Sequence, residues 1–301
     1  MELQSLSERT RLIPGPVNIG VIMLGGDRVA LVDSGVDRRM AKRVLELLGA
    51  YRLCPTVILN THAHADHCGG NALIQAETGC RILTSTLEAA AVTNPLIQAI
   101  ALYGGAPLEE LLNPLIVSEP SRAEAIHTDI LEFDGLNIEV LQLGGHSIGQ
   151  IGFKVDGVAF LGDTLFPLHT IQKHRLLFIY DPLEHLTTLE KLRTVSATTY
   201  VGGHFQPESR IDMLLAENMK HVKDAFALLK KLLTGPQPYD RLAKQFFGSF
   251  ELKKNGWEHF LCRATLSGFL SALKRNGEAD YRIMDNLLVW YGTGKPGKRE
   301  L

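Results

Sequence analysis

Residues 60–70 read NTHAHADHCGG, which places His62, His64, Asp66 and His67 within six positions. A fold must hold four such donors on one short loop, and that demand constrains this chain more than any other feature. Side chains two apart in extended backbone project to the same side, so His62 and His64 can grip one ion together. Asp66 and His67 fall at the turn into the following segment and aim differently, which suits a second ion nearby. Zinc takes neutral imidazole and carboxylate ligands, and a catalytic site leaves one position open. Four local donors are too few for two such ions, so further ligands are expected at other strand ends.

Three candidates answer that expectation. His146 in GGHS, Asp163 in LGDT and His204 in GGHF each follow an apolar, strand-like run, and each is preceded by glycine. Glycine there lets the backbone turn sharply beside the donors. The remaining histidines, at 127, 169, 174, 185, 221 and 259, are not expected to be ligands, although His169 and His174 could face a substrate. Cys68 directly follows His67 and is read as a small buried residue.

The rest of the chain supplies a scaffold. The stretches VNIGVIML and RVALVDSG flank a glycine turn and read as paired strands. Residues 38–48 have helical apolar spacing, with Gly49 ending the helix, and TVILN is a strand leading into the donor loop. Residues 87–126 are helix-like and interrupted by prolines, as a lid or wall of a cleft would be. Strand signals return in LNIEVLQLGGHS, IGFKVDG, VAFLGDTLF and TYVGGH, with a helical PLEHLTTLEKLRTV among them.

Beyond Pro207 a long amphipathic helix is expected, then two helices and a two-strand hairpin, an order that looks like a small winged-helix module. The expected division is a catalytic domain over 1–208, a connecting helix over 209–235 and a helical, winged-helix-like domain over 236–301.

The ordered set THAHADH, GGHS, GDT and GGH, preceded by LVDSG, resembles the metallo-β-lactamase superfamily over roughly residues 10–205. The resemblance implies an α+β fold, a four-layer αββα sandwich of two sheets covered by helices. It also implies that His62, His64 and His146 bind a first divalent ion and Asp66, His67 and His204 a second, with Asp163 bridging them. Zinc is the expected metal, with iron or manganese accepted by the same ligand set. Asp33 in LVDSG would orient the ligand loop. A bridging hydroxide would be the nucleophile, and Asp66 would move the proton.

Departures from the pattern narrow the reading. The common two-zinc β-lactamases carry a cysteine at the second metal, where this chain has His67, and the flavin-linked diiron branch carries glutamate where it has His64. Glyoxalase II enzymes share GDTLF, Gly162 to Phe166, but continue with a glycine- and cysteine-containing stretch that is replaced here by PLHTIQKH, which puts a glutathione subsite in doubt. Lactonases of homoserine lactones usually place a tyrosine where Phe166 stands, and Tyr103 or Tyr180 could substitute. The C-terminal module is similar to that of the β-lactamase-like protein 2 group, which includes a nuclease of single-stranded RNA.

The expected activity is therefore hydrolysis of a small ester, thioester or lactone by a dinuclear-metal enzyme, with a nuclease of single-stranded RNA or DNA as the alternative. A ligand-sensing, DNA-binding regulator is a third reading, and oxidative chemistry at a single iron a fourth. A net charge of −2 gives no global pull toward nucleic acid or membrane. Residues 236–301 hold eleven Lys and Arg against seven Asp and Glu, a mild surplus, and Phe246, Phe247, Phe250, Trp257 and Trp290 are expected in a core rather than stacked on bases. The N-terminal MELQSLSERTRL has no basic region followed by an apolar run, and four scattered cysteines form no C-x-x-C pair, so a cytoplasmic protein is expected. A small-molecule substrate, no membrane and an option of homodimerisation complete the expectations.

Overall fold

The computed structural model describes residues 2–252, 256–299 and 301. Lys253, Lys254 and Glu300, which entered the C-terminal charge count, lie outside the described residues.

One sheet of seven strands runs in sequence order: β1 (Gln4–Ser5), β2 (Thr10–Ile13), β3 (Ile19–Gly25), β4 (Arg28–Val32), β5 (Cys54–Leu59), β6 (Arg81–Thr84) and β7 (Ala123–Ala125). Its first four strands are antiparallel, and β4 to β7 are parallel. A second sheet has the order β12 (Thr199–Val201), β11 (Val158–Phe160), β10 (Ile151–Val155), β9 (Leu136–Gln142) and β8 (Ile130–Phe133). Only its β11–β12 pair is parallel.

Alternation sorts the side chains of these strands into layers. Leu12, Ile22, Val32, Val57 and Leu59 of the first sheet meet Val140, Ile151, Phe153, Val158 and Phe160 of the second in a fully buried inter-sheet layer. The opposite face of the first sheet, with Ile19, Val21, Val29, Leu31 and Ile58, packs on Met40, Val44 and Leu48 of α1 (Arg38–Ala50) and on Leu73 and Ile74 of α3 (Asn71–Thr78). Met40, Val44 and Leu48 recur every fourth residue, so α1 presents one apolar stripe, and burying each is worth about 1.5–3 kcal/mol. The outer face of the second sheet is covered by Leu189 and Leu192 of α7 (Pro182–Leu192) and by Leu215 and Met219 of α8 (Asp212–Leu232). Helix, sheet, sheet, helix is the four-layer order expected.

Several boundaries differ from the sequence reading. Gly49 does not end α1, which runs on to Ala50 with Tyr51 as its cap. Within residues 87–126 the helices α4 (Thr86–Thr93) and α5 (Leu96–Tyr103) are followed by β7, because parallel pairing with β6 overrides the helical pattern. The strand β8 and the helix α6 (Leu168–His174) have no counterpart in the sequence reading.

At the C-terminus, α9 (Tyr239–Ser249) and α10 (Gly256–Asn276) precede a hairpin of β14 (Ala279–Met284) and β15 (Leu287–Gly292), with β13 (Gln237–Pro238) pairing alongside β15. The hairpin turns on Asp285 and Asn286, at φ 49° and 61°, as a two-residue turn of the primed type requires. This module shares one apolar cluster with the sandwich: Phe246, Leu266, Phe269 and Leu273 pack with Val222 and Phe226 of α8 and with Phe166, Leu177 and Ile179. The start of α10 reaches the 87–126 segment, where Trp257, Phe260 and Leu261 pack against Ala99, Leu111 and Ile116. That segment is thereby anchored to α10. Among the described residues, no helix is long and apolar enough to cross a membrane.

Candidate metal centre

The predicted donors lie just beyond strand ends on one edge of the sandwich. Asp33 follows β4, the 60–67 loop follows β5, and His146, Asp163 and His204 follow β9, β11 and β12. Loops at the carboxyl ends of parallel strands can vary without disturbing the sheet, so sites gather there. His64 is extended, at φ −65° and ψ 143°, and the four-residue helix α2 (Ala65–Cys68) starts right after it. That change of conformation is what separates the aim of His62 and His64 from that of Asp66 and His67.

All seven donors come together, in three overlapping groups whose ligand atoms lie within 4.8 Å of one another: His62, His64 and His146; His62, His67 and Asp163; Asp66, His67 and His204. Nδ1 of His64 stands 2.9 Å from Nε2 of His62 and 3.0 Å from Nε2 of His146. The Asp163 carboxylate lies between the groups, with Oδ1 3.2 Å from His67 Nε2 and Oδ2 3.2 Å from His204 Nε2 and 3.8 Å from His146 Nε2. Asp66 Oδ2 lies 3.5 Å from His204 Nε2.

The donor set fits divalent cations. Two ligands at about 2.0–2.1 Å from a tetrahedral ion are about 3.3 Å apart, close to the separations seen here. Moreover, His67 Nε2 and Asp163 Oδ1, although 3.2 Å apart, are not aligned to hydrogen-bond to each other and are buried with no other partner, which a cation beside both would relieve.

Outer contacts fix three of the rings. Asp33, at φ 62°, accepts from His67 Nδ1 and from the backbone N–H and hydroxyl of Thr61, each at 2.8 Å. His146 Nδ1 faces the carbonyl of Phe178 at 3.1 Å, and His204 Nδ1 that of Pro16 at 3.0 Å, so each ring turns Nε2 inward. Gln150 escaped the sequence reading. Its amide oxygen accepts from the Asp163 N–H and its nitrogen donates to Thr164, so it fixes the Asp163 turn; a polar residue directly ahead of the buried β10 was the available signal.

The electrostatics divide the site. Burial and the neighbouring imidazoles push His62 and His146 well below the ordinary histidine value, and burial lowers His64. Asp163 lifts His204 to about 10 against burial. For His67 burial works downward, but Asp163, Asp33 and Asp66 outweigh it and hold the ring well above its usual value. Burial would raise Asp66, yet His67 and His204 keep it at about 2.

The other histidines stand apart. None of them joins a donor group among the described residues. His169 and His174 are exposed on α6, His127 is exposed, and His185 is buried on α7 with its backbone against Gly145. Cys68 turns away, its Sγ 3.2 Å from the His64 carbonyl and 3.4 Å from Ser118 Oγ, and burial pushes its thiol up to about 12. Phe166 stacks on His204 and tilts against His146, while Phe178 meets His64 edge-on, so this wall is apolar. Tyr103 packs its ring on Phe260 of α10.

Fold and donor order together define a known class: the sequence profile of the metallo-β-lactamase superfamily matches residues 12–204, and the chain belongs to that family. Among curated relatives, a hydroxyacylglutathione hydrolase of Shewanella oneidensis is 35% identical over 132 residues, 44% of this chain and 42% of its own. The hydroxyacylglutathione hydrolase GloC of Haemophilus influenzae is 30% identical over 151 residues, 50% of this chain and 66% of its own. This chain thus spans less than two thirds of the length of either. A solved metallo-β-lactamase family protein of Thermus thermophilus superposes with a TM-score of 0.73 at 24% identity, covering 96% of this chain and 100% of that one. The likeness therefore extends through the C-terminal module.

Proposed function

We propose that this protein is a metal-dependent hydrolase of a small thioester, ester or lactone that works with two divalent ions, one held by His62, His64 and His146 and the other by Asp66, His67 and His204, with Asp163 shared. The observation that carries the reading is the convergence of the His62 and His146 Nε2 atoms on His64 Nδ1, at 2.9 and 3.0 Å, beside a carboxylate that faces both groups. The curated relatives, named for hydrolysis of hydroxyacylglutathione, favour a thioester.

Bound ions supply a polarised carbonyl and a water acidified toward neutrality. The residues do the rest. Asp66 is about one third exposed and His204 about one quarter, so substrate meets the site from their side. Asp66, on this open side, can take a proton from the attacking water and release it to the departing thiol or alcohol. The apolar wall of Phe166 and Phe178 excludes water from one flank of the acyl group. Because Pro167 and α6 occupy the stretch that departs from the glyoxalase II pattern, the thiol half is proposed to be recognised differently from glutathione.

The nucleic-acid readings have less support. Phe246, Phe247 and Trp290 are buried in the shared core, and α10 is packed along its length against the 87–126 segment, α9 and the hairpin, which leaves little of it to enter a groove. A panel of thioesters, lactones and single-stranded RNA, each assayed with and without chelator, tests the proposal. Chelator-sensitive turnover of a thioester or lactone is expected; metal-dependent RNA cleavage alone would replace this reading with the nuclease.

A pH signature follows from the protonation of the ion-free site. His67 and His204 hold protons at pH 7 because their pKa values are raised, and a cation must displace them; His62, His64 and His146 are neutral. Filling the Asp66 group should therefore release about two protons and filling the three-histidine group almost none. Since the competing protons become scarcer with rising pH, affinity at the Asp66 group should climb from pH 6 toward 9. Calorimetry in buffers of different ionisation enthalpy measures this, and proton release that is equal for both ions would refute it.

A further inference from the structure

Glu88 lies on α4, far in sequence from every donor, and is 1% exposed. Its neighbours Ala89, Ala91 and Val92 are buried too, so packing alone would favour an apolar side chain at this position. A buried carboxylate is costly unless its oxygens are matched by donors. Here they are: Oε2 accepts the backbone N–H of Ala63 at 2.9 Å, and Oε1 accepts the Ser147 hydroxyl at 2.6 Å and the Gly149 N–H at 2.9 Å.

The placement of those donors is specific. Ala63 sits between His62 and His64, and Ser147 follows His146 directly. One carboxylate therefore ties together the two loops that carry the three-histidine group, while Asp33 binds His67 on the other side. The loop bearing Ser147 also lies close on α4: a methyl group on Gly149 would come within 2.6 Å of Ser85 Oγ. Neither loop can shift away from Glu88 without breaking a bond to it.

We propose that Glu88 is the positioning residue of the three-histidine group, fixing the separation of the His62–His64 loop from the His146 loop and so the affinity of that half of the site for its ion. The proposal rests on the reading that this group binds a metal. Glu88→Gln keeps the shape but replaces one acceptor with a donor opposite another donor. Outer partners of this kind usually account for about 10–100-fold in metal affinity.

The test uses the full chain in two backgrounds. In Asp66→Ala/His67→Ala/His204→Ala only the three-histidine group remains; in His62→Ala/His64→Ala/His146→Ala only the other group does, and the overlapping His62, His67 and Asp163 set is broken in both. Zinc affinity is measured by chelator competition, without substrate. Adding Glu88→Gln should weaken zinc about 10–100-fold in the first background and leave the second unchanged. Ser147→Ala, which removes one of the three bonds, should act in the same direction to a lesser degree and serves if Glu88→Gln does not fold. Equal losses in both backgrounds would show a general structural role and overturn the proposal, as would no loss in the first. Failure of either background to bind zinc would instead remove the two-ion reading itself, and the proposal with it.

Discussion

Asp163→Ala should lose both ions and lower hydrolytic turnover by on the order of 10³-fold or more, since ion binding and stabilisation of developing charge fail together. The reason is geometric: among the described residues, Asp163 is the carboxylate whose two oxygens face both donor groups, at 3.2 Å from His67, 3.2 Å from His204 and 3.8 Å from His146. Cys68→Ser is the control. Cys68 adjoins His67 in sequence, but its thiol faces the His64 carbonyl and Ser118 and stays protonated, so the serine variant should keep its metal content. Metal analysis of both purified variants, with circular dichroism to confirm folding, reads the contrast. Equal metal loss in the two would overturn the assignment of Asp163.

Gly203→Ala should be nearly as damaging although it removes no donor. A β-carbon there would lie 2.3 Å from Asp163 Oδ1 and 2.6 Å from His67 Cε1. The backbone cannot retreat, because the Gly203 N–H donates to the Gly162 carbonyl and its own carbonyl accepts from Asn18 N–H, both at 2.8 Å. The methyl group must push both side chains aside. Overpacking of this kind costs about 1–3 kcal/mol of stability, and displaced ligands should lower zinc affinity by at least about 10-fold. Gly248→Ala in α9 meets nothing within 4 Å and should leave zinc binding intact and stability unchanged or raised by up to about 1 kcal/mol. Thermal melts with chelator present, alongside zinc competition, separate the two effects; a Gly203→Ala protein that binds zinc like the parent would contradict the close packing.

The donor set was readable in the sequence because each member sits at a strand end marked by its own short motif, and strand ends in this architecture share one edge. Asp33 was readable for the same reason. Glu88 was not: its partners lie 25, 59 and 61 positions away, and a carboxylate in a short helix looks solvated until the tertiary structure buries it. Its one local trace is the run of alanines around it. Likewise the extra strand β7 exists only because β6 offers a parallel edge, and Gly49 stays helical because α1 is held by its apolar stripe on the sheet. That His64 turns Nδ1 toward the Nε2 atoms of His62 and His146 is a matter of side-chain rotation, which spacing does not encode.

The central claim is that two ions on these donors perform the hydrolysis, and the thioester assay run during zinc titration of metal-free protein tests it most directly. Turnover should rise through the second equivalent and level off there, with two zinc ions recovered per chain. Full activity in the metal-free protein, or a plateau at one equivalent, would contradict it.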